Sequence, residues 1–254
     1  MSEVEMTYDL SLLDLSSRAW HKKSGLRRIY QELYQQMLDA CVDGASLELG
    51  SGIGVIKEFN DSVITSDLVK TPYVDRVASA YDIPLFQDQP WANIMALDVL
   101  HHLRSPLGLI ESASQVLRPG GRLILMEPAS TLFGRYFYRA FHVEPIAPKG
   151  IIAPYEFPAD DDDGNFANMA MALELFKEQA STTESKFVEL GMTIQNISYR
   201  DCLAYPLSGG YSGPQFLPGS ILSSLMKIES WIPQFLLQYI GLRMLIVLEK
   251  NASV

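Results

Sequence analysis

Cysteine is nearly absent from this chain. Its 254 residues hold two, Cys41 and Cys202, far apart and in no Cys-x-x-Cys spacing. That argues against a disulfide framework or a cysteine zinc site, and for two small apolar side chains in a reducing compartment. Basic charge is also in short supply. Lys and Arg number 20 against 30 Asp and Glu, a net charge of −10, and no Lys/Arg run occurs. Phosphate neutralisation supplies most nucleic-acid affinity, so DNA and structured RNA are poor candidates for a partner. Long apolar runs are missing too. The most apolar stretch, Phe216 to Ile240, is interrupted by Lys227, Glu229 and Pro233, so no transmembrane helix and no stable membrane insertion are expected. Met1-Ser2-Glu3-Val4-Glu5 has neither the basic nor the apolar region of a secretion leader, so a cytoplasmic location is expected.

What is present is a regular alternation of helix and strand patterns. Leu26, Ile29, Tyr30, Leu33, Tyr34, Met37 and Leu38 recur at helical spacing, predicting a helix over 25–41. Short apolar runs follow at 46–49, 63–66, 93–97 and 122–126, each bounded by turn residues, and read as buried strands. A helix is expected to open in the glycine loop and run to Phe59, and another to span 106–117 before Pro119-Gly120-Gly121. Beyond Glu127-Pro128 the pattern loosens. A helix is expected over 167–190, strands over 192–199 and 242–249, and an irregular insertion over 203–240 ending in an apolar helix. No internal repeat is visible. Alternating strands and helices with short connections predict a doubly wound α/β sheet in a single domain.

Two local patterns point to a ligand. Glu48-Leu49-Gly50-Ser51-Gly52-Ile53-Gly54 follows the first strand directly. Glycines there let backbone approach a ligand closely. The loop is not a dinucleotide G-x-G-x-x-G, because Val55 stands where the third glycine would fall after Gly50 and Gly52. Asp67 ends the second strand, where a carboxylate can accept hydrogen bonds from both hydroxyls of a ribose. That indicates a nucleoside without saying which.

With Ala96-Leu-Asp-Val-Leu-His-His-Leu103 and Leu117-Arg-Pro-Gly-Gly-Arg-Leu-Ile-Leu-Met-Glu-Pro128 in the same order and spacing, the chain resembles the class I S-adenosylmethionine-dependent methyltransferases. The resemblance implies a Rossmann-like seven-stranded sheet whose last strand is antiparallel. It also implies a cofactor-binding core over 45–128, capped on the acceptor side by 129–165 and 203–240. It implies roles as well. Glu48 would orient the methionine end of S-adenosylmethionine, and Gly50, Ser51, Gly52 and Gly54 would line the cofactor. Asp67 would bind the ribose hydroxyls, Leu68 would pack on the adenine, and Ala80 would meet the adenine edge. Asp98 would stand beside the methionine moiety. His101 and Glu127, the expected catalytic pair, would border the acceptor pocket. Two departures stand out: Ser79 where an acid is common before Ala80, and Asn93 where Asp is common at the start of the fourth strand.

Methyl transfer to a small, hydrophobic or lipid-like acceptor follows as the expected activity, with oxygen the favoured accepting atom. Nicotinamide-dependent oxidoreduction and non-catalytic cofactor binding are the alternatives. His101 is the histidine placed for function, whereas His102 and His142 read as structural. Asp160–Asp163 lacks the alternating spacing of a calcium loop and reads as a solvated acidic turn, so no metal site is expected. Ile221, Leu222, Leu225, Ile228, Trp231 and Ile232 fit one helical face, expected to pack on the parent domain. A lid, a homodimer face and a membrane-surface contact are the lesser readings.

Overall fold

The computed structural model describes residues 10–86, 89–146 and 166–252. The chain opens with α1 (Leu10–Lys22) and α2 (Ser24–Asp39), then β1 (Ser46–Leu49), β2 (Ile64–Asp67) and β3 (Arg76–Val77). β4 (Trp91–Leu97), α3 (Pro106–Val116), β5 (Leu117–Pro128) and α4 (Leu132–Phe141) follow. After residue 166 come α5 (Met171–Leu173), α6 (Ala180–Glu189), β6 (Met192–Arg200), α7 (Ala204–Ser208), α8 (Gly219–Glu229), α9 (Gln234–Ile240) and β7 (Arg243–Lys250).

The strands form one sheet in the order β3-β2-β1-β4-β5-β7-β6. β3 through β5 pair in parallel, and β7 runs antiparallel to both β5 and β6. The doubly wound, seven-stranded sheet with its last strand reversed is therefore the fold. Side chains alternate across it with the period of two that strand geometry imposes. Ile94, Ala96, Leu123 and Leu125 join a core with Ile110 and Phe187 on the side of α3 and α6. Met95, Leu97, Ile124 and Met126 join a second core with Trp20, Ile29, Leu33 and Met37 of α1 and α2. β4 is buried along its whole length, as a strand covered on both faces must be.

Several local expectations change. The glycine loop leads not into an α-helix but into a single 3-10 turn, Val55–Glu58. Gly54 enters that turn in the left-handed conformation, and only four residues later the chain turns toward β2. Pro119-Gly120-Gly121 does not separate a helix from a strand. β5 starts at Leu117, opposite Trp91, and the pairing shifts register before Asn93 meets Arg122. The helix expected over 167–190 is broken by a π turn at Glu174–Glu178. Where the pattern loosens after Pro128, α4 forms, with Thr131 capping it by accepting the Gly134 N–H at 3.0 Å. The acidic run Asp160–Asp163 lies outside the described residues.

The 203–240 segment holds three helices rather than one. Its expected single apolar face splits. Leu222 is buried against α2, where Gly25 leaves no room for a side chain beneath the Leu222 Cδ1. Ile221, Ile228 and Trp231 are exposed. Among the described residues, no helix is long and apolar enough to cross a membrane.

Candidate active site

In this strand order the winding reverses between β1 and β4, and the crevice at the carboxyl ends of those strands is where open α/β sheets bind ligands. Glu48–Gly54 leaves β1 there, and Asp98–His102 leaves β4 beside it.

Gly50, Gly52 and Gly54 all have positive φ, at 65°, 52° and 68°, a region that costs little only for glycine. They are not equivalent. A Cβ on Gly50 would stand 2.5 Å from Val99 Cγ2, and one on Gly54 3.0 Å from the Tyr73 carbonyl oxygen. A Cβ on Gly52 would meet nothing within 4 Å. Gly50 and Gly54 thus fit the loop to the protein, while Gly52 faces open space. The Ser51 hydroxyl donates to the Glu48 carbonyl at 3.3 Å, and the Ser66 N–H donates to that hydroxyl at 3.2 Å, so Ser51 ties the loop to β2.

Asp67 orients the same loop from across the crevice. Its carboxylate accepts the Gly52 N–H at 2.8 Å and the Leu68 N–H at 2.7 Å. Leu68 is exposed beside it. The Ala78 N–H donates to the Asp67 carbonyl at 3.0 Å, which brings Ser79 and buried Ala80 to the same rim. The Ser79 hydroxyl accepts the Tyr81 N–H at 3.2 Å.

Glu48 is buried at the floor. Burial pushes its carboxyl up to about 7, against hydrogen bonds from Ser51 and Tyr34, with nearby Asp67 adding to the rise. Its Oε2 has no hydrogen-bond partner. An unmet buried carboxylate oxygen is costly unless something completes it. The cationic end of an amino-acid moiety would do so, and the open side of Gly52 leaves room for the ligand's body. The residues present therefore fit S-adenosylmethionine.

Asp98 follows β4 directly in the left-handed conformation, φ 57°, and is ion-paired with the buried Arg243 of β7. The guanidinium lies 5.0 Å from the Tyr205 ring centre and 5.7 Å from that of Tyr30. Sequence reasoning passed over Arg243, Tyr30, Tyr34 and Tyr205. The one available signal was a lone cation opening the otherwise apolar run Met244–Leu248.

His101 and Glu127 are together. The His101 Nδ1 stands 2.7 Å from Glu127 Oε2, and both side chains are buried. Glu127 Oε1 also accepts the N–H groups of Val99 at 2.8 Å and Leu100 at 2.7 Å. Glu127 therefore holds the turn after β4 and the ring on it. On the ring's other edge, Nε2 lies 3.6 Å from Glu144 Oε2. Burial alone would lower the His101 pKa, but the Glu127 charge and hydrogen bonds to Glu127 and Glu144 outweigh it and raise it to about 10. His102, expected to be structural, also faces Glu144, at 3.8 Å, and His142 lies 3.5 Å from it. Glu144 carried no motif and was missed.

Asn93 stands apart from the site. Its amide accepts the Val42 N–H at 2.8 Å and donates to the Val42 carbonyl at 2.8 Å and the Ser46 hydroxyl at 2.9 Å. It stitches the end of α2 to the start of β4, away from the carboxyl ends of the strands.

With this geometry in place, comparison with known proteins gives the class. A family model described as a methyltransferase domain matches residues 21–174, more than half of the chain. The chain belongs to the class I S-adenosylmethionine-dependent methyltransferase family, which sets aside the nicotinamide-dependent alternative. No curated protein matches it. Among solved structures it is similar to a SAM dependent methyltransferase from Archaeoglobus fulgidus at 10% identity, with a TM-score of 0.53 over 88% of this chain and 94% of that one. The YcgJ protein of Bacillus subtilis aligns at 13% identity over 89% of this chain and 100% of its own, TM-score 0.46. An O-methyltransferase family protein from Burkholderia thailandensis aligns at 9% identity over 90% of this chain and 58% of its own, TM-score 0.45.

Proposed function

We propose that this protein transfers a methyl group from S-adenosylmethionine to a small, hydrophobic or lipid-like acceptor, with oxygen as the favoured accepting atom. One observation carries the reading: Glu48, with an unmet buried oxygen, and Asp67 face each other across a glycine loop whose central Gly52 opens to solvent space. When bound, the cofactor supplies a methyl group already activated on a sulfonium. The chain's task is to bind, orient and exclude water, and well-ordered proximity is worth about 7–11 kcal/mol.

Glu48 and the loop Gly50–Gly54 would hold the amino-acid end, and Asp67 the ribose. Leu68, Ser79 and Ala80 would border the adenine. Asp98 would act through Arg243, fixing the wall made by Tyr30 and Tyr205. On the acceptor side, His101 would present Nε2 with Glu144 beside it. Glu127 would position that ring rather than touch the acceptor, since both its oxygens are engaged by the turn. An apolar acceptor is supported by the exposed Tyr136 and Phe141 on α4 and Phe235 and Tyr239 on α9, two helices that pack together. Residues 45–128 would serve as the cofactor core, with 129–165 and 203–240 as the acceptor-side cap.

Calorimetric titration with S-adenosylhomocysteine, with NAD in parallel, tests the cofactor. Saturable binding of the former alone is expected, and a folded protein that binds neither would end the proposal. Turnover is then sought across apolar hydroxylated acceptors. Cofactor binding without turnover on a broad acceptor panel would favour a non-catalytic binding module.

A further inference from the structure

We propose that His101, His102 and Glu144 form a binding site for a divalent transition-metal ion of the zinc class, with Glu127 as the outer partner that orients His101. One ligand atom from each of the three residues falls within 4.8 Å of the others. The Glu144 carboxylate reaches both rings at once, Oε2 at 3.6 Å from His101 Nε2 and Oε1 at 3.8 Å from His102 Nε2. Ligands about 2.0–2.1 Å from a tetrahedral zinc ion stand roughly 3.3 Å apart. The two carboxylate-to-ring distances therefore need only a small contraction onto an ion.

The hydrogen bonds on the far side of each ring point the same way. His101 Nδ1 lies 2.7 Å from a carboxylate oxygen of Glu127, and His102 Nδ1 lies 3.2 Å from the Phe166 carbonyl oxygen. Both partners only accept, so each Nδ1 carries a hydrogen and each Nε2 is the atom turned toward Glu144, where a bound ion would take the place of the proton that His101 Nε2 shares with that carboxylate. A ligating histidine whose other nitrogen donates to a carboxylate or a backbone carbonyl is the usual outer arrangement of a metal site. Adjacent histidines rarely converge on one point. Here the 3-10 turn Leu100–His102 brings their ring centres to 4.1 Å. Glu127 builds that turn by accepting its leading N–H groups, and the Asn168 N–H braces it by donating to the His101 carbonyl at 2.8 Å. The Nδ1 atom of His142, 3.5 Å from Glu144 Oε2, is buried with no hydrogen-bond partner, which adds a further nitrogen at the rim.

Two imidazoles and one carboxylate suit zinc or a neighbouring first-row ion, and three protein ligands leave a position open. The site itself stands on these contacts alone. Its role, holding and polarising the acceptor's oxygen in place of a direct contact from His101 Nε2, rests on the methyl-transfer reading above.

The test uses the full chain after chelator treatment and dialysis. Zinc is titrated by calorimetry, and cobalt(II) by visible absorption. The expected result is one equivalent of zinc, with cobalt giving the intense bands of a low-coordinate nitrogen and oxygen site. Glu144→Gln and His102→Ala should each weaken zinc binding by at least about 100-fold, and Glu127→Gln by about 10–100-fold. Cys41→Ser and Cys202→Ser should leave it unchanged. His102 is half-exposed, so its variant tests the site even if Glu144→Gln unfolds. The inference is overturned if the folded wild-type chain binds no zinc saturably, or if His102→Ala binds it as well as wild type. S-adenosylhomocysteine titrated into the same samples separates the two readings. Its binding without zinc binding sinks this site alone, and zinc binding without it supports the site and sinks the cofactor reading alone.

Discussion

Arg243, the first residue of β7, pairs with Asp98, the residue that follows β4, across 145 positions of sequence. Asp98 can sit there because Asp tolerates a left-handed backbone better than most residues, and Arg243 can be buried because Asp98 compensates it, with Asp201 a second carboxylate 3.8 Å from its Nε. Breaking one member of a buried pair strands the other charge, at a cost of about 3–5 kcal/mol. Asp98→Ala should therefore destabilise the protein, by up to about 3 kcal/mol because Asp201 still stands 3.8 Å from the guanidinium, read by urea unfolding. Asp98→Ala with Arg243→Leu should recover part of that loss. A double variant as unstable as the sum of the singles would show that the pair has no coupling.

The glycine loop offers a separation of folding from binding. Gly50→Ala drives a Cβ into Val99 and should lower stability by about 2 kcal/mol or more. Gly52→Ala pays the strain of a positive φ, about 1 kcal/mol, but meets no neighbour. It should stay folded and still lose affinity for S-adenosylhomocysteine by tenfold or more, because the added methyl occupies the space kept for the ligand. Unchanged affinity in folded Gly52→Ala would show that the ligand does not pass that point.

How much of this was legible in the sequence follows from distance along the chain. β1, β2, β4 and the glycine loop announce themselves because apolar run, turn and acid lie within a few residues. Glu48 and Asp67 inherit their places from strand ends and could be named in advance. Arg243, Tyr30, Tyr205 and Glu144 could not, since their partners are set only when the sheet closes and α4 returns over the turn after β4. The π turn at Glu174–Glu178 and the 3-10 turn after Gly54 escaped for a different reason. Their sequences carry ordinary helical signals, and tertiary packing overrode them.

Asp67 should separate binding from stability in the same way. Its carboxylate holds the Gly52 and Leu68 N–H groups, so Asp67→Asn keeps one acceptor and much of the loop. Asp67→Ala loses both. Affinity for S-adenosylhomocysteine should fall in both variants, by at least about tenfold in Asn and further in Ala. Near wild-type affinity in both would remove Asp67 from the site.

Glu48 makes the protein's pH behaviour a test of the site floor. Burial is the main cause of a folded-state carboxyl near 7, above the unfolded value of about 4.3. Between those values the folded state holds a proton that the unfolded state has lost. Stability from this group is thus present below about pH 4 and declines as pH rises toward 7, by up to about 4 kcal/mol in all. Glu48→Gln should abolish that decline, so its stability relative to wild type should climb from pH 5 to pH 8. Ligand binding should show the opposite slope. The amino group of S-adenosylhomocysteine is a cation and favours the carboxylate form, so wild-type affinity should rise from pH 6 to pH 8. Proton release should appear when the calorimetry is repeated in buffers of different ionisation enthalpy. In Glu48→Gln the affinity should be weaker and nearly flat over the same range. A wild-type affinity that does not change between pH 6 and pH 8, with no proton released, would mean that the Glu48 carboxylate does not meet the ligand's cation.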